Sequence, residues 1–464
     1  MATRQLGPSV LAQIPSPLLE GALTVVKTLA DAGHRAVFAG GVVRDLLLGN
    51  AVSDIDIATS ALPAEVEALF PKTIAVGKHF GVVIVVIDSI NYEVATFRIE
   101  GGYVDGRHPV SVRFAGEEED ARRRDFTVNA LFLDPLEKTV IDYTDGLIDL
   151  DRRVIRTVGS PTQRLEEDKL RVLRAVRFAC QLGFEIEPET YAEVKRQAKK
   201  LLQVSWERIR DELIRILTGP DAARGLDLLA DSGILEVILP EVDAMRGIPQ
   251  PPEFHPEGDV FVHTRLMFKK AGQISDPNLA LAVLLHDVGK PPTLSVRERI
   301  RFDGHDRKGA EMAESICRRL RLSGEEIAEI VDLVGEHLRF IPVQEMREST
   351  LKRFLRKHNI EKHLELHRLD CLASHGDLTS YHFCRAKLEE FSREAMRPPR
   401  LISGYDLIAM GLTPGPLFSR ILADLEDQQL EGKITSRERA LEWVRNQYVR
   451  EDDSNVPSPE SKES

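Results

Sequence analysis

Asp54 and Asp56 stand two residues apart in the run Ser53-Asp54-Ile55-Asp56-Ile57-Ala58-Thr59. Side chains two apart on a strand point to the same face, so the pair can hold two Mg²⁺ ions for phosphoryl or nucleotidyl transfer. One metal would activate an attacking hydroxyl, and the other would neutralise a triphosphate. Just upstream lies Gly40-Gly41-Val42-Val43-Arg44-Asp45. Two glycines between a strand and a helix let backbone approach a phosphate closely, and Arg44, one turn into that helix, reaches the same anion. Alone, a Gly-Gly turn is common and a DxD pair is often only solvated; in this order and at this spacing the two describe a nucleotide site. Glu93, in the β-rich run Asn91-Tyr92-Glu93-Val94, is the candidate third carboxylate. Its bland alternative is a surface strand glutamate.

Further charged residues recur in a helical segment opening at Glu167: Asp168, Arg171, Arg174 and Arg177 come every third residue. They therefore drift slowly around one side of a helix. A carboxylate accepts and a guanidinium donates in a rigid fork, so such a pair can read the Watson–Crick edge of C or A without a nucleic-acid template. The alternative is an exposed helix with ordinary ion pairs. Downstream, His263, His286-Asp287, His305-Asp306, His337 and Asp370 fall on helical segments across about a hundred residues. Imidazole with carboxylate suits a divalent transition metal or Mg²⁺.

The elements that must position these groups follow from the patterning. Residues 1–20 read as a loose leader and 21–33 as a short amphipathic helix ending at Gly33. Residues 35–41 read as a strand into a turn, followed by a helix through Gly49. Two further strands, GVVIVVID and INYEVATFRI, are joined by a DSIN hairpin turn. Residues 21–150 are thus a mixed α/β domain. Helical spacing takes over in 163–183, 188–203, 205–218 and 221–245, with no further strong strands. The Pro/Gly-rich stretch 246–259 reads as a linker or boundary. Residues 260–375 form a helical histidine-bearing domain, 400–447 a small helical end, and 449–464 a polar acidic tail expected to be disordered.

These motifs carry a family resemblance. GGVVRDLLLG…SDIDIATS resembles the signature of the polymerase-β-like nucleotidyltransferases of the CCA-adding and poly(A) polymerase family. Arg122-Arg123-Arg124-Asp125-Phe126-Thr127-Val128-Asn129-Ala130 resembles that family's RRDFTxNA motif. The resemblance implies triphosphate contacts from the arginines, with Asp125 and Asn129 organising the motif. Asp142 and Asp145-Gly146 resemble the next motif. Glu167–Arg177 is similar to EDxxRxxRAxRFA, which implies that Asp168 and Arg171 select the incoming base while Glu167 holds Arg171. The run FRIEGGYVDGRHPVSVRFAGEEEDA looks like the flexible loop associated with the switch from C to A addition. The Gly77–Gly81 run GKHFG lacks Walker spacing and reads as a connecting turn. HDVGKP after LALAVLLH resembles the HD superfamily. That resemblance implies a metal shell of His263, His286, Asp287 and Asp370, with His305 and His337 at a second metal or a phosphate. LISGYDLIAMGLTPGPLFSR (401–420) resembles the tail segment of bacterial CCA-adding enzymes with an HD domain.

The expected fold class is therefore α+β: a mixed-sheet head, an all-α neck and body, and an all-α HD domain. The expected activity is template-free addition of CCA to tRNA from CTP and ATP with Mg²⁺. A phosphatase or 2′,3′-cyclic phosphodiesterase acting at an RNA end, with a divalent metal of unspecified identity, is expected of the HD domain. An A-adding enzyme or a poly(A) polymerase would use nearly the same residues. More distant alternatives are an HD phosphohydrolase with a regulatory N-terminal domain, which the intact Asp54/Asp56 pair opposes, and an RNA-binding module with dead sites. The net charge of −12 argues against a chain that coats nucleic acid everywhere. Residues 151–215 carry 15 Lys+Arg against 11 Asp+Glu, a local surplus fitting a basic groove along the neck. No run suits a membrane span, the N-terminus is not a convincing signal peptide, and four scattered cysteines fit a cytoplasmic setting.

Overall fold

The computed structural model describes residues 1–449 except 8, 75–80, 104–108, 254, 257, 297 and 392–395. Most of the GKHFG run, the tip of the 98–114 loop and the tail from 450 fall outside the described residues. Ten strands belong to the head: β1 Ala2–Gln5, β2 Ala36–Ala39, β3 Asp56–Thr59, β4 Thr73–Ile74, β5 Val82–Ile87, β6 Ile90–Thr96, β7 Arg98–Tyr103, β8 Pro109–Phe114, β9 Leu131–Asp134 and β10 Thr139–Asp142. Eight of them form one sheet in the order β1-β10-β9-β2-β3-β6-β5-β4, and β7–β8 is a separate hairpin. Within the eight-stranded sheet only β3 and β6 run parallel; the other neighbours are antiparallel.

The first residues are not a loose leader, because β1 pairs along β10 and closes that edge of the sheet. The next helix, α1 Ser16–Asp31, begins at a proline and buries Leu18, Ala22, Val25, Val26 and Leu29 on one stripe. It is longer than its apolar stretch suggested because Pro17 sits in its first turn, where a missing N–H costs nothing. Strands β2 and β9 are buried along their whole length. Val37 and Ala39 face a small cluster with Phe97 and Phe132, while Phe38 and Ile57 join the main core. The β5–β6 turn is made by Asp88 and Ser89, both with positive φ, as a two-residue hairpin requires.

Four short helices complete the head and lead out of it: α2 Gly41–Leu48, α3 Pro63–Leu69, α4 Glu117–Arg123 and α5 Gly146–Arg152. The Asp142 carboxylate accepts from the backbone N–H groups of Thr144, Gly146 and Leu147, so it fixes the entry into α5. The body follows as α6 Pro161–Glu167, α7 Arg171–Leu182, α8 Pro188–Gln197, α9 Trp206–Leu217, α10 Ala222–Asp231, α11 Ile234–Ile238 and α12 Pro240–Asp243. The predicted single helix over 163–183 is broken. Asp168 has φ −134° and ψ 109°, an extended conformation that ends α6 before α7 begins. A two-residue ladder, Val154–Ile155 beside Glu185–Ile186, ties the start of the body to the end of α7.

The histidine-bearing part consists of α13 Val260–Ala271, α14 Pro277–Leu285, α15 Lys290–Thr293, α16 His305–Arg319, α17 Gly324–Glu336, α18 Glu348–Leu355, α19 Ile360–Ala373 and α20 Thr379–Glu390. Contiguous apolar packing runs from Leu11 to Ala373, with α10 against α13 and α9 against α14. The Pro/Gly stretch before α13 folds back on this unit. Pro249 bridges to Asp259, and the buried Gln250 side chain accepts from Lys290 Nζ at 2.6 Å. Gly289 leaves no room for a side chain: a Cβ there would lie 2.1 Å from the His305 carbonyl oxygen. Helices at Gly404–Ala409, Pro416–Leu430 and Arg437–Val444 enclose a separate small core.

Candidate functional site

A cleft of about 500 Å³ opens between the head and the body, lined by Gly40, Gly41, Arg44, Asp56, Arg123, Arg124, Asp125, Asn129, Asp168, Arg171, Arg174 and Arg177. Phe178, Arg208 and Arg215 complete the lining. Asp56 begins β3 and stands in register with Glu93 on the parallel strand β6, so the two carboxylates project side by side. Asp54 lies in the segment before β3 rather than on the strand and accepts from Ser53 Oγ at 2.7 Å. Asp56 reaches solvent at the cleft, yet protein surrounds it closely. That desolvation, then Glu93, then Asp54, push its carboxyl up to about 6. An anionic cluster disfavouring its own ionisation is what a divalent cation relieves, so the donor set fits a divalent cation.

This shift predicts pH behaviour. The nucleotidyl transfer that the sequence motifs imply should fall as pH drops through about 6, where protonation competes with a divalent cation at Asp56, and more of that cation should move the fall to lower pH. For metal-free protein the sign reverses. The folded state holds this proton more tightly than the unfolded chain, so between the two pKa values stability decreases as pH rises. Nucleotide incorporation from pH 5 to 8 at several Mg²⁺ concentrations checks the first statement, and melting curves of the metal-free protein from pH 4 to 8 check the second.

Gly40 has φ +73°, and a Cβ there would meet Arg124 Nη1 at 2.9 Å. The glycine therefore serves both the turn and the close approach of an arginine. Arg123 and Arg124 are held by the buried Asp120, at 2.7 and 3.1 Å. Burial alone would raise the Asp120 carboxyl, but the two guanidinium groups lower it. Arg122 points away and pairs with Glu118. Asp120 was legible as an acid three and four residues before two arginines but was not singled out.

Polar side chains connect the α2 end of the cleft to its α7 end. Arg44 Nη1 donates to Asn129 Oδ1 at 2.6 Å, Asn129 Nδ2 to Asp125 Oδ1 at 3.2 Å, and Arg174 to Asp125 Oδ2 at 2.5 and 2.9 Å. Burial would raise Asp125, but Arg174 and Arg171 hold it well below the usual carboxylate range. Arg171 donates to Glu167 at 2.8 Å and to the carbonyls of Arg164 and Arg123 at 2.9 and 3.2 Å. Arg177 is engaged by Glu212 and Gln181, anchoring α7 to α9. Asp168 meets Arg208 of α9, a residue that sequence reasoning did not single out because its partner lies 40 positions away.

The second constellation gathers His263 of α13 and Asp370 of α19 with residues at the ends of α14 and α17 and the start of α16. His263, His286 and Asp370 form one group of potential ligands, and Asp287, His305 and His337 another; within each, one donor atom per residue lies within 4.8 Å of the others. The expected four-residue shell is thus divided, with Asp287 between the groups. Its Oδ2 lies 3.2 Å from His286 Nε2, and its Oδ1 lies 3.6 and 3.9 Å from the Nε2 atoms of His305 and His337. The Nδ1 atoms of His286, His305 and His337 meet the carbonyls of Val283, Phe302 and Val334 at 2.7–2.9 Å. Nδ1 is then the protonated nitrogen, and Nε2 turns inward as a ligand lone pair.

Burial keeps His305 and His337 neutral, His337 down at about 4 with His286 adding to the effect. Burial opposes ionisation of Asp287, but the positive charge packed beside it, Lys290 Nζ at 2.7 Å included, outweighs that and holds the carboxyl well below its ordinary value. The Nε2 atoms of His286 and His305 are buried without a hydrogen-bond partner, and metal coordination would satisfy them. A cavity of about 620 Å³ opens beside the cluster and is rimmed by Lys290, Arg299 and Arg301.

Family comparisons agree with this geometry. The Poly A polymerase head domain matches residues 36–156, the Probable RNA and SrmB-binding site of polymerase A matches 183–246, and the HD domain matches 260–372. The chain thus carries, in this order, matches to a poly(A) polymerase head, to the RNA-binding region of that polymerase and to an HD domain. Similar relatives are the CCA-adding enzyme of Geobacillus kaustophilus, 48% identical over 219 residues (47% of this chain, 54% of that protein), and that of Bacillus subtilis, 45% identical over 216 residues (46% and 54%). The chain spans about half the length of the curated relatives it matches. Among solved structures, the Bacillus stearothermophilus CCA-adding enzyme in complex with CTP superimposes with TM-score 0.68 at 29% identity, covering 93% of this chain and 98% of that one. The Thermotoga maritima CCA-adding enzyme complexed with tRNA shares the fold, with TM-score 0.60 at 21% identity and coverage of 96% and 99%. No helix among the described residues is long and apolar enough to cross a membrane.

Proposed function

We propose that this chain adds C, C and A to the 3′ end of tRNA from CTP and ATP, without a nucleic-acid template. The observation that carries this reading is the cleft that Asp56 shares with Asp168 and Arg171, Asp56 standing in register with Glu93 and the two ends being linked by the hydrogen-bonded series Arg44–Asn129–Asp125–Arg174. Asp54, Asp56 and Glu93 would hold Mg²⁺, which when bound lowers the pKa of the attacking 3′-hydroxyl and neutralises charge on the triphosphate. Arg44, Arg123 and Arg124 bind the triphosphate beside the Gly40-Gly41 backbone. Asp168 accepts from, and Arg171 donates to, the base edge, so that base identity and phosphate position are set together. We read the chain through residue 150, with β1 and α1 included, as the catalytic head, 151–245 as the neck and body for base selection and tRNA binding, and 400–447 as a small helical end.

Residues 260–375 act in this reading as an HD phosphohydrolase on a phosphate or 2′,3′-cyclic phosphate at an RNA end. His263, His286, Asp287 and Asp370, with His305 and His337, would hold divalent metal, which when bound supplies a hydroxide at neutral pH. Lys290, Arg299 and Arg301 draw the phosphate to that cluster. Four free and buried cysteines suit a cytoplasmic location.

The test is primer extension with purified protein, Mg²⁺ and a tRNA lacking its 3′ CCA, with CTP and ATP singly and together, alongside a tRNA ending in CC. Addition of C, C, then A, stopping there, is expected. A alone on the CC end would indicate an A-adding enzyme and long A tails a poly(A) polymerase. No incorporation would overturn the transferase reading.

A further inference from the structure

We infer that Arg208 is a positioning residue for base selection, holding Asp168 in the one orientation that separates C and A from U and G. This inference rests on the reading of Asp168 as the base acceptor.

The backbone alone does not orient Asp168, which sits in extended conformation at the break between α6 and α7. Its carboxylate is oriented from outside. Oδ1 accepts from the Leu170 N–H at 3.0 Å and from Arg208 Nη1 at 3.3 Å, and Oδ2 accepts from Arg208 Nη2 at 2.8 Å. A guanidinium fork on both oxygens fixes the plane of the carboxylate, which a point charge does not do. A carboxylate oxygen has two acceptor sites. With one site on Oδ2 used by Arg208, the other can serve the cleft, which Asp168, Arg171 and Arg208 all line.

The position of Arg208 is itself fixed. One helical turn further along α9, Glu212 is buried, engages Arg177 and lies 3.6 Å from Arg174. This ion cluster locks α9 against α7, while the other side of α9 packs on α14. Arg208 is thus delivered to Asp168 by a helix that has no freedom to slide. The pair is only about one-fifth exposed on each side, unlike the solvent-screened surface pairs that contribute little.

The base chemistry gives the arrangement its consequence. C and A carry an exocyclic amino donor where U and G carry a carbonyl acceptor. An ionised carboxylate aimed at that position accepts from the first pair and repels the second. A carboxylate free to turn loses that contrast, because it can rotate away from a carbonyl and leave Arg171 to bind it. Arg208 contributes by excluding that rotation and by keeping an anion beside it.

The experiment compares the full-length wild type with Arg208→Lys and Arg208→Gln under single-turnover conditions. CTP and UTP are offered to tRNA lacking CCA, and ATP and GTP to tRNA ending in CC. The expected result is a rise in KM for CTP with kcat less affected, and a loss of discrimination against UTP of ~10–100-fold in Arg208→Gln. Arg208→Lys, which keeps charge but not the fork, should fall between. An equal fall for CTP and UTP, with their ratio unchanged, would overturn the inference and leave Arg208 a purely structural tie. If Arg208→Gln does not fold by thermal melting, Arg208→Lys carries the test. A wild type that incorporates neither C nor A would instead defeat the transferase reading itself, so the two failures are distinguishable.

Discussion

Replacing Asp56 by asparagine should reduce C and A incorporation on the order of 10³-fold while leaving the protein folded. Asp56 is the carboxylate that shares a register position with Glu93 and feels the charge of both Glu93 and Asp54. The asparagine amide keeps the size but offers a neutral oxygen and a donor, neither of which holds Mg²⁺ against water. The triphosphate and base contacts come from other residues of the cleft, so the KM for CTP should change far less than kcat. Folding should not suffer. The negative cluster opposes its own ionisation, so removing one charge from the metal-free protein should leave the melting temperature at pH 8 unchanged or higher. Single-turnover incorporation and thermal melts, run on the same preparations, separate these effects. A variant that keeps more than about a tenth of wild-type kcat would remove Asp56 from the metal site.

Much of this cleft was legible in the sequence, and the part that was not has a physical reason. The Gly-Gly turn, the DxD pair and the two-residue hairpin at Asp88–Ser89 are local signals, set within a few residues by sterics and strand alternation. So was the contact of Glu167 with Arg171, four positions apart. The pairing of β3 with β6 is parallel and joins residues 37 positions apart, and nothing local specifies that Asp56 and Glu93 stand side by side. The edge strand β1 carried no hydrophobic alternation to announce it, since its residues are mostly exposed and its pairing comes from β10. The three-residue recurrence of Asp168, Arg171, Arg174 and Arg177 was real, but it did not reveal the break at Asp168. There the carboxylate gains Arg208 and the Leu170 N–H in place of a helical backbone. Arg208 and Glu212 themselves read as ordinary charges on an amphipathic helix, because their partners, Asp168 and Arg177, lie 40 and 35 positions away.

The histidine cluster illustrates the same limit and yields the second large effect, because Asp287 is the residue whose role changed most on assembly. The HD resemblance implies one shell for it with His263, His286 and Asp370. In space it touches His286 on one side and faces His305 and His337 on the other, so a single carboxylate serves both donor groups. Asp287→Asn should therefore abolish phosphohydrolase activity toward 2′,3′-cyclic nucleotides and lower bound divalent metal at both groups, read by elemental analysis of the purified protein. It should also destabilise the fold. Lys290 Nζ lies 2.7 Å from Asp287 and is buried; without the carboxylate its charge keeps the neutral Gln250 oxygen and the face of the Phe302 ring but no counter-charge. Breaking a buried pair from one side costs on the order of 3–5 kcal/mol, a drop in melting temperature of several degrees. Asp287→Asn combined with Lys290→Met removes both charges and should recover most of that stability without recovering hydrolysis or metal. If the single variant retained full metal content, Asp287 would be a structural counter-ion to Lys290 and not a ligand. Addition of CTP to tRNA by the folded single variant should persist, since Asp54, Asp56 and Glu93 belong to a separate cleft.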